Sequence, residues 1–494
     1  MSLAAANSGL RRAVLVGVGT AAQHEPPGEG VGALDLMVRA AGAAADDTGS
    51  PEILRAVERI LVPHGTWRAR DAGRTIARAV GAVAARSVLV EIGIPQQALI
   101  DQALAAIASG EIDVALVVGG EAKRRDDLAR RAGIALAPPD DPGTDPDERQ
   151  VPDAEIVSPA EIATGFVVPV QQYAAIDNAL RAAEGQSIAE HCRDIDSLWS
   201  RFDAVAITNP EAAFAAGRTP AALRDPGGGN RPLGFPYNKW HATQWAVDQA
   251  GALLLCSETA ADRFGIAPAL RVHPWVSLES SHSLTLSRRA WLHRWPAMAE
   301  LGRAAEAHLG RALPDLDLVE LYSCFPAAVR VQQRELGLPL DGTPTLTGGM
   351  PFAGGPFNHF VFQATATMIR RLRDAPGAVG LVTTVSGLLT KPGLAVWSTD
   401  AGDRAPLLAD LAASAAAATP ERDVVEGYVG AATVATYTVR HDREGPAQIV
   451  AIADTPEGDR VVAVVDDRDA AAAATHRELI GAEITVDGPT AAMR

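Results

Sequence analysis

The stretch Asp315-Leu-Asp-Leu-Val-Glu-Leu-Tyr-Ser-Cys-Phe325 opens the part of the sequence that decides the fold. Its first seven residues alternate between acidic and apolar side chains, which predicts a strand with one buried face. A helical pattern over 327–336 follows directly. Strand, polar turn and helix in this order predict one unit of an α/β fold, with the polar turn at a strand end.

Two further polar turns follow in the same region. The glycine-dense turn Thr347-Gly-Gly-Met-Pro-Phe-Ala-Gly-Gly-Pro-Phe-Asn-His359 precedes a second helical pattern, and the buried strand Val379-Gly-Leu-Val-Thr-Thr-Val385 ends at Ser386-Gly387. Loops at the ends of strands gather the ligand site in open α/β sheets. The three turns therefore predict a ligand site built by this half of the chain.

This layout resembles the C-terminal half of the thiolase superfamily, and in particular its acetyl-CoA acetyltransferase and sterol-carrier thiolase branches. Members carry a tetrapeptide after a strand, then a Gly-His-Pro turn, then Cys-x-Gly. The matching places here are Tyr322-Ser-Cys-Phe325, Gly354-Gly355-Pro356 and Val385-Ser386-Gly387. In the first half, Asp113-Val-Ala-Leu-Val-Val-Gly-Gly-Glu121 is similar to another phrase of the family.

The resemblance covers roughly residues 12–400 and implies an α/β protein with a duplicated thiolase fold. Two βαβαβ halves, predicted at 1–125 and 268–400, would form a five-layered αβαβα core. Residues 126–267 are predicted to hold an inserted loop domain and the return to the core. Residues 401–422 are predicted as a linker. Short alternating strands over 423–494 predict an OB-like β-barrel, an addition similar to that of actinobacterial thiolase-like proteins.

Composition bounds the kind of protein. Of 494 residues, 47% are hydrophobic and 21% charged, which is ordinary for a globular protein. The net charge of -16 argues against nucleic acid or an anionic membrane surface as the main partner. Three scattered cysteines predict neither a disulfide framework nor a metal site. Without a signal segment or a run of about 18 apolar residues, the sequence predicts a cytoplasmic protein without a membrane span.

The resemblance also locates the residues that thiolase chemistry needs, and they are replaced. The family's nucleophilic cysteine falls on Gly93, and no cysteine precedes Cys192. Gly355 stands at the place of the activating histidine and Val385 at that of the acid/base cysteine. Glycine and valine cannot transfer protons. Ordinary thiolase activity is therefore not expected, and whether the protein is an enzyme stays open.

Tyr322, His359 and Cys324 are the candidate catalytic residues that remain. Tyr322 could donate a hydrogen bond to a thioester carbonyl or enolate, with His359 as acid or base. Alternatively, Tyr322 packs at a strand end, His359 caps a helix or faces water, and Cys324 is an inert buried cysteine. The candidate substrate- or CoA-binding residues are Gly93, Gly348, Gly349, Gly354, Gly355, Asn358, Ser386 and Gly387.

Three functions stay open. The first is binding of an acyl-CoA or related lipid thioester, with no other cofactor and no metal. The second is a lyase acting on a β-hydroxyacyl-CoA, because thiolase-like aldolases of steroid side-chain breakdown resemble this chain at Tyr322 and depend on a separate OB-fold partner. The third is a non-catalytic scaffold for a partner enzyme. The resemblance further implies a homodimer that pairs through edge strands of the N-terminal halves.

Overall fold

The computed structural model describes residues 11–139 and 143–494. Residues 1–10 of the predicted N-terminal half and 140–142 of the predicted loop domain lie outside the described residues. The strands are β1 (Ala13–Ala22), β2 (Arg59–Pro63), β3 (Arg86–Val90), β4 (Val114–Ala122), β5 (Glu148–Gln150), β6 (Pro232–Gly234), β7 (Tyr237–Asn238), β8 (Asp248–Ser257), β9 (His273–Glu279), β10 (Leu318–Glu320), β11 (Val379–Ser386), β12 (Lys391–Ser398), β13 (Leu407–Asp410), β14 (Val429–Asp442), β15 (Gly445–Asp454), β16 (Arg460–Val465), β17 (Glu483–Asp487) and β18 (Thr490–Met493). The helices are α1 (Ala33–Asp47), α2 (Ala72–Val80), α3 (Gln96–Ser109), α4 (Lys123–Ala132), α5 (Pro159–Ala163), α6 (Pro169–Ala183), α7 (Ile188–Ala206), α8 (Pro220–Arg224), α9 (Glu258–Arg263), α10 (Pro296–Leu309), α11 (Pro326–Glu335), α12 (Phe360–Asp374), α13 (Ala412–Ala418) and α14 (Arg468–Ala474). None of the helices described is both long enough and apolar enough to cross a membrane.

Local sequence signals set the ends of several helices. Helix α7 begins at a capping box in which the Ser187 and Glu190 side chains each accept a backbone N–H of the first turn. Helix α3 ends at Gly110, which has φ +80° and adopts the left-handed conformation that favours glycine. Helices α6, α10 and α11 each have proline near their first position, where a missing N–H leaves no helical bond unmade.

The first sheet has the strand order β1-β8-β4-β2-β3-β5. Strand β8 runs antiparallel to β1 and β4, whereas β2 is parallel to both β4 and β3. Strand β4 is buried along its whole length, as expected of a continuous apolar run covered on both faces. The three residues of β5 pair in parallel with the edge of β3.

The second sheet has the order β10-β11-β12-β9-β13. The alternating pattern predicted a strand from Asp315, but β10 covers only Leu318–Glu320, because Leu313–Asp315 forms a 3-10 turn with a proline near its start. Strand β13 lies inside the predicted linker 401–422, where Leu407 to Ala409 pair in parallel with β9. Part of that segment is therefore integral to the second sheet.

Helices α3 and α12 lie between the two sheets, since α3 contacts β2, β4, β9 and β12 while α12 contacts β8 and β11. Helix α1 covers the outer face of the first sheet, and α10 covers β12 of the second. The close approach of α12 to β8 needs Gly251, where an added Cβ would lie 3.1 Å from the Gln363 backbone nitrogen. The core therefore has the predicted five layers, in the order helix, sheet, helix, sheet, helix.

The last strands close a barrel of β14, β15, β16, β18 and β17, with β14 pairing both β15 and β17. This confirms the predicted OB-like barrel. It packs on helix α6 of the inserted region. Asn178 Nδ2 donates to the Tyr437 carbonyl at 2.9 Å, and Thr436 Oγ1 donates to the Ala175 carbonyl at 2.5 Å. Buried hydrogen bonds thus join the barrel to the inserted region.

The edge of the first sheet bears on the predicted homodimer. Val88 is the partner of Glu148 and Val90 is the partner of Gln150 in the β3–β5 pairing. The β3 edge is thereby covered from within the same chain. The homodimer stays a prediction, and pairing through β3 would first require β5 to leave.

Candidate functional site

The tetrapeptide 322–325 connects β10 to α11 and is held from both sides. The Tyr322 N–H donates to Thr383 Oγ1 of β11 at 2.9 Å. Gln332 Nε2 of α11 donates to the Tyr322 carbonyl, also at 2.9 Å. The turn is therefore fixed by the neighbouring strand and by the helix that follows it.

The Tyr322 side chain is half-buried. Its ring meets the edge of Phe360, with centroids 6.0 Å apart. Burial raises the pKa of Tyr322 well above its usual range, the nearby Cys324 raises it further, and a hydrogen bond with the Gln96 side chain partly offsets both. The phenol stays protonated at neutral pH and can donate one hydrogen bond. The Tyr322 hydroxyl is therefore a hydrogen-bond donor that lies beside the start of α3.

Cys324 lies in the core and is 6% exposed. Burial raises the pKa of its thiol to about 12, and a hydrogen bond with Tyr173 only partly opposes this. The group is a thiol at neutral pH and is a poor nucleophile in that form. The Tyr173 hydroxyl also lies 3.5 Å from the Gly387 carbonyl oxygen. Tyr173, which the sequence did not single out, therefore joins Cys324 to the Gly387 turn.

His359 packs against the first sheet and is 1% exposed. Its Nδ1 lies 3.3 Å from the Phe357 carbonyl, while Nε2 is buried without a partner in the described residues. Burial lowers the pKa of His359 to about 4, so the imidazole is neutral at pH 7. An added Cβ on Gly119 would lie 2.5 Å from His359 Cβ. His359 therefore contacts β4 rather than sharing hydrogen bonds with Tyr322.

Asn358 ties the two halves of the core together. Its φ is +61°, a left-handed conformation that asparagine tolerates better than most residues. Its Nδ2 donates to the His64 carbonyl at 3.0 Å. The predicted site residues Asn358 and His359 thus both turn towards the first sheet.

The four predicted glycines of the turn 347–359 approach the chain's own inserted region. An added Cβ would lie 2.4 Å from Ala206 at Gly348, 2.6 Å from Phe202 at Gly349 and 2.5 Å from Gln249 at Gly354. At Gly355 it would lie 2.0 Å from Thr243 Oγ1 and 2.9 Å from Met350 Cβ. These glycines are needed for close packing in the structure. Their contact with a ligand stays a prediction.

The buried carboxylate Glu320 holds the start of this turn. It is 1% exposed and accepts the N–H groups of Leu346 and Thr347 together with the hydroxyls of Thr345 and Thr347. Burial raises its pKa to about 7, and these hydrogen bonds lower it. The alternation that predicted β10 indicates an acidic face. It does not predict that Glu320 is buried and accepts hydrogen bonds from residues 345–347.

The remaining predicted residues lie around the start of α3. Gly93 has φ +104°, and an added Cβ would lie 3.2 Å from Pro152. Gly387 has φ +65°, and an added Cβ there would lie 3.1 Å from Ile156. Ser386 and Gly387 are half-buried. The segment 148–157, which begins as β5, therefore lies against both predicted loops.

Lys391 is a site residue that the sequence analysis missed. It is 3% exposed, and its Nζ donates to the Gly93 carbonyl at 2.8 Å. Burial lowers the pKa of Lys391, while the carboxylates of Asp153 and Glu279 oppose this. The available signal was a lysine inside the otherwise apolar run that forms β12, in a chain with only three lysines.

A buried polar layer extends from Lys391 along the face between α3 and the second sheet. Gln97 Nε2 donates to Ser277 Oγ at 2.7 Å and to Asp101 Oδ1 at 3.0 Å. Burial raises the pKa of Glu279 to about 9, and Asp101 and Asp410 raise it further. No group of three or more His, Cys, Asp or Glu side chains in the described ranges could hold a metal ion.

The structure thus brings Tyr322, Cys324 and Gly387 together around Tyr173, whose own pKa is raised by burial and by both Cys324 and Tyr322. Its elements supply a hydrogen-bond donor, a protonated thiol and backbone carbonyls. They supply no side chain at Gly93 or Gly355. The Tyr322 hydroxyl can donate a hydrogen bond to a polar group, whereas acyl binding and the loss of the usual thiolase route stay predictions.

Comparison with known proteins agrees with this architecture. Residues 412–489 match the family described as the additional C-terminal domain of thiolase-like protein type 1. The crystal structure of a monomeric SCP2-thiolase-like protein type 1 from Mycobacterium smegmatis is 27% identical with a TM-score of 0.83, covering 98% of this chain and 99% of that chain. A comparison with curated proteins gives no match.

The likeness extends to other thiolase-fold structures at lower identity. Human mitochondrial 3-ketoacyl-CoA thiolase in complex with CoA is 18% identical with a TM-score of 0.55, covering 79% of this chain and 99% of that chain. The structure described as the Ltp2-ChsH2(DUF35) aldolase is 20% identical with a TM-score of 0.59, covering 78% and 98%.

Together the comparisons support a thiolase-superfamily protein. More particularly, the chain carries an additional C-terminal domain and is similar over nearly its whole length to the type 1 thiolase-like protein.

Proposed function

We propose that the chain binds an acyl-CoA or a related lipid thioester at the Tyr322 turn and does not carry out ordinary thiolase chemistry. The packing at Gly355 supports the absence of ordinary thiolase chemistry, because the space beside its Cα is filled by Thr243 and Met350. A histidine placed there would have no room without displacing them. Gly93 likewise offers only backbone, and its carbonyl is already bonded to Lys391.

The half-buried surface around Tyr322 supports binding. Tyr322, Ser386 and Gly387 are each partly accessible at strand ends. The protonated phenol can donate to a carbonyl or enolate oxygen. A thioester whose carbonyl accepts this bond would meet no nucleophilic side chain at Gly93.

The segment 243–245 leads from the Tyr322 turn to an exposed aromatic side chain, which supports the CoA part of the ligand. The Thr243 N–H donates to the Cys324 carbonyl at 2.8 Å, and the Gln244 N–H donates to Met350 at 3.3 Å. Trp245 follows and is 47% exposed, with Lys123 Nζ 5.2 Å from its ring centroid. An aromatic face beside an ammonium suits a nucleobase with attached phosphates.

Calorimetry with acetyl-CoA and dodecanoyl-CoA tests the proposal. Removing one hydrogen-bond donor in Tyr322→Phe should weaken binding by about 0.5–1.5 kcal/mol. The matched control is Tyr428→Phe, because that hydroxyl donates to Ala431 in the barrel at 2.9 Å and should not affect the ligand. No heat and no thermal shift at millimolar ligand would reject the proposal and favour the scaffold hypothesis.

A second candidate function is retro-aldol cleavage of a β-hydroxyacyl-CoA. Such chemistry needs a base and an oxyanion donor but no cysteine nucleophile, and Tyr322 is suited to the donor role. The structure of similar fold is described as the Ltp2-ChsH2(DUF35) aldolase, and the present chain carries an OB-like barrel at 429–493. Release of an aldehyde or ketone from a β-hydroxyacyl-CoA would establish this function. The Tyr322→Phe variant should then lose activity mainly through a lower kcat.

The homodimer belongs to the same set of proposals. The similar protein from Mycobacterium smegmatis is described as monomeric, and β5 covers the β3 edge here. A dimer would therefore use another surface. Light scattering at micromolar concentration separates a mass of 51.5 kDa from twice that value.

A further inference from the structure

A narrow cleft lies beside the turn 387–390, where the core meets the segment leading to the C-terminal barrel. His282, Arg289, Trp291, Trp295, Leu389 and Pro420 are among the residues that line it. The space between these side chains, together with the open solvent in front of them, measures about 320 Å³. Its inner end is narrow, with room for a group about the size of one water molecule.

Arg289 is a buried cation without a carboxylate partner. It is 5% exposed, and its Nε and Nη2 donate to the Leu284 carbonyl at 3.3 and 3.2 Å. Nη2 also donates to the Leu388 carbonyl at 2.5 Å. In the part of the chain that the structure describes, Nη1 has no acceptor, and no carboxylate oxygen lies within 4.0 Å of the guanidinium. Two N–H donors of a lining residue are therefore available.

Glu161, the carboxylate that acts most strongly on Arg289, does not neutralise it by direct contact. Glu161 acts on it at longer range, but its own oxygens accept the N–H groups of Ser158 at 2.8 Å and Ser287 at 2.7 Å. Burial lowers the pKa of Arg289 to about 10, so the guanidinium is still charged at neutral pH. A buried charge without a partner is costly, and an anion in the cleft would offset that cost.

The other lining groups define the shape of the anion. His282 Nε2 is buried without a hydrogen-bond partner in the described residues and can present an N–H to an oxygen. Trp295 is 3% exposed, and its Nε1 donates to the Thr390 carbonyl at 3.3 Å. This hydrogen bond holds the Trp295 indole in place on one side of the cleft. Trp291 is 48% exposed. The cleft thus combines a charged inner end with indole surfaces.

We propose that this cleft binds a carboxylate anion, with one carboxylate oxygen at the narrow inner end, where Arg289 Nη1 is the charged donor, and with the hydrocarbon part of the ligand outside, against the exposed Trp291 indole. A guanidinium matches the planar geometry of a carboxylate. The site is separate from the Tyr322 turn and does not depend on thioester binding there. Acetate and a fatty acid share the head-group chemistry, whereas the indole walls favour the ligand with a hydrocarbon chain.

Calorimetry on the full chain with octanoate and with acetate tests the site. Octanoate should bind more tightly than acetate, and Arg289→Met should weaken octanoate binding about tenfold or more, the effect of losing a charged hydrogen bond. Arg288→Gln is the matched control, because it removes the same charge next in the chain but its guanidinium pairs with Glu421 outside the cleft. Equal losses in both variants would overturn the proposal, as would no binding of either anion to the wild type.

A second measurement keeps the proposal testable if Arg289→Met fails to fold. Crystals of the wild type soaked in bromide should show an anomalous peak within hydrogen-bonding distance of Arg289 Nη1. Trp291→Ala, at an exposed position, should weaken octanoate binding more than acetate binding. A soak without that peak, together with unchanged octanoate binding by Trp291→Ala, would reject the site.

Discussion

Replacing Gly355 with alanine should destabilise the core by about 1–3 kcal/mol, the usual effect of overpacking a filled interior. The added Cβ would lie 2.0 Å from Thr243 Oγ1, 2.9 Å from Met350 Cβ and 3.1 Å from Met350 Cε. Contacts below 3.0 Å essentially never occur for real Cβ atoms, so Oγ1 must move by about 1 Å. Thr243 can rotate away, but Met350 Cβ is fixed to the backbone of the same turn. Part of the strain should therefore persist.

Urea unfolding followed by tryptophan fluorescence measures this loss. The matched control is Gly42→Ala in α1, where an added Cβ meets nothing within 4 Å and should stabilise the helix by up to about 1 kcal/mol. Thr243→Ala should recover part of the loss in the Gly355→Ala background, with a coupling of at least about 0.5 kcal/mol. A Gly355→Ala protein as stable as the wild type, with no coupling to Thr243, would refute the argument that this position is filled.

Three further predictions concern pH, activity and the barrel. The folded-state pKa of Glu279, about 9, lies above its unfolded value of about 4.5. Between these pH values the unfolded chain loses a proton that the folded protein keeps, so the free energy of unfolding should fall as pH rises. The slope should be at most about 1.4 kcal/mol per pH unit. Urea titrations should show a smaller pH slope for Glu279→Gln, and an unchanged slope would contradict this. Acetoacetyl-CoA with free CoA should give no thiolysis above background, whereas turnover near about 10 per second would show that another nucleophile acts. Asn178→Ala removes the side-chain donor to the Tyr437 carbonyl, whereas the Phe235 carbonyl keeps the Thr438 hydroxyl. The loss should weaken barrel docking by about 1–3 kcal/mol, seen as faster proteolysis within 400–422.

The elements with strong local patterns were predictable. The helical pattern over 327–336 corresponds to α11, the one after the turn 347–359 to α12, and the buried strand from Val379 to β11. Strands β5 and β13 were not, because Glu148-Arg-Gln150 and Leu407-Leu-Ala-Asp410 have no distinctive alternation. Each is a strand because it pairs with a distant edge, β3 or β9. Such pairing is a property of the assembled sheets.

The site shows the same division. Motif positions located Tyr322 and the glycines, since these follow strands and turns with local signals. The filling of the Gly355 space by Thr243, the bond from Lys391 to Gly93 and the unpaired guanidinium of Arg289 depend on residues far apart in the chain. Single residues of those types have no local pattern that indicates their partners.

The short segment 148–157 links ligand access to solubility. Its first residues occupy the β3 edge, and its Pro152 and Ile156 lie against Gly93 and Gly387. A ligand needing space at Gly93 would have to move this segment and could thereby free the apolar edge at Val88-Leu89-Val90. An uncovered, apolar edge strand is a template for pairing between molecules and so for aggregation. The contacts of Pro152 and Ile156 with the Gly93 and Gly387 turns therefore also help to keep this edge covered.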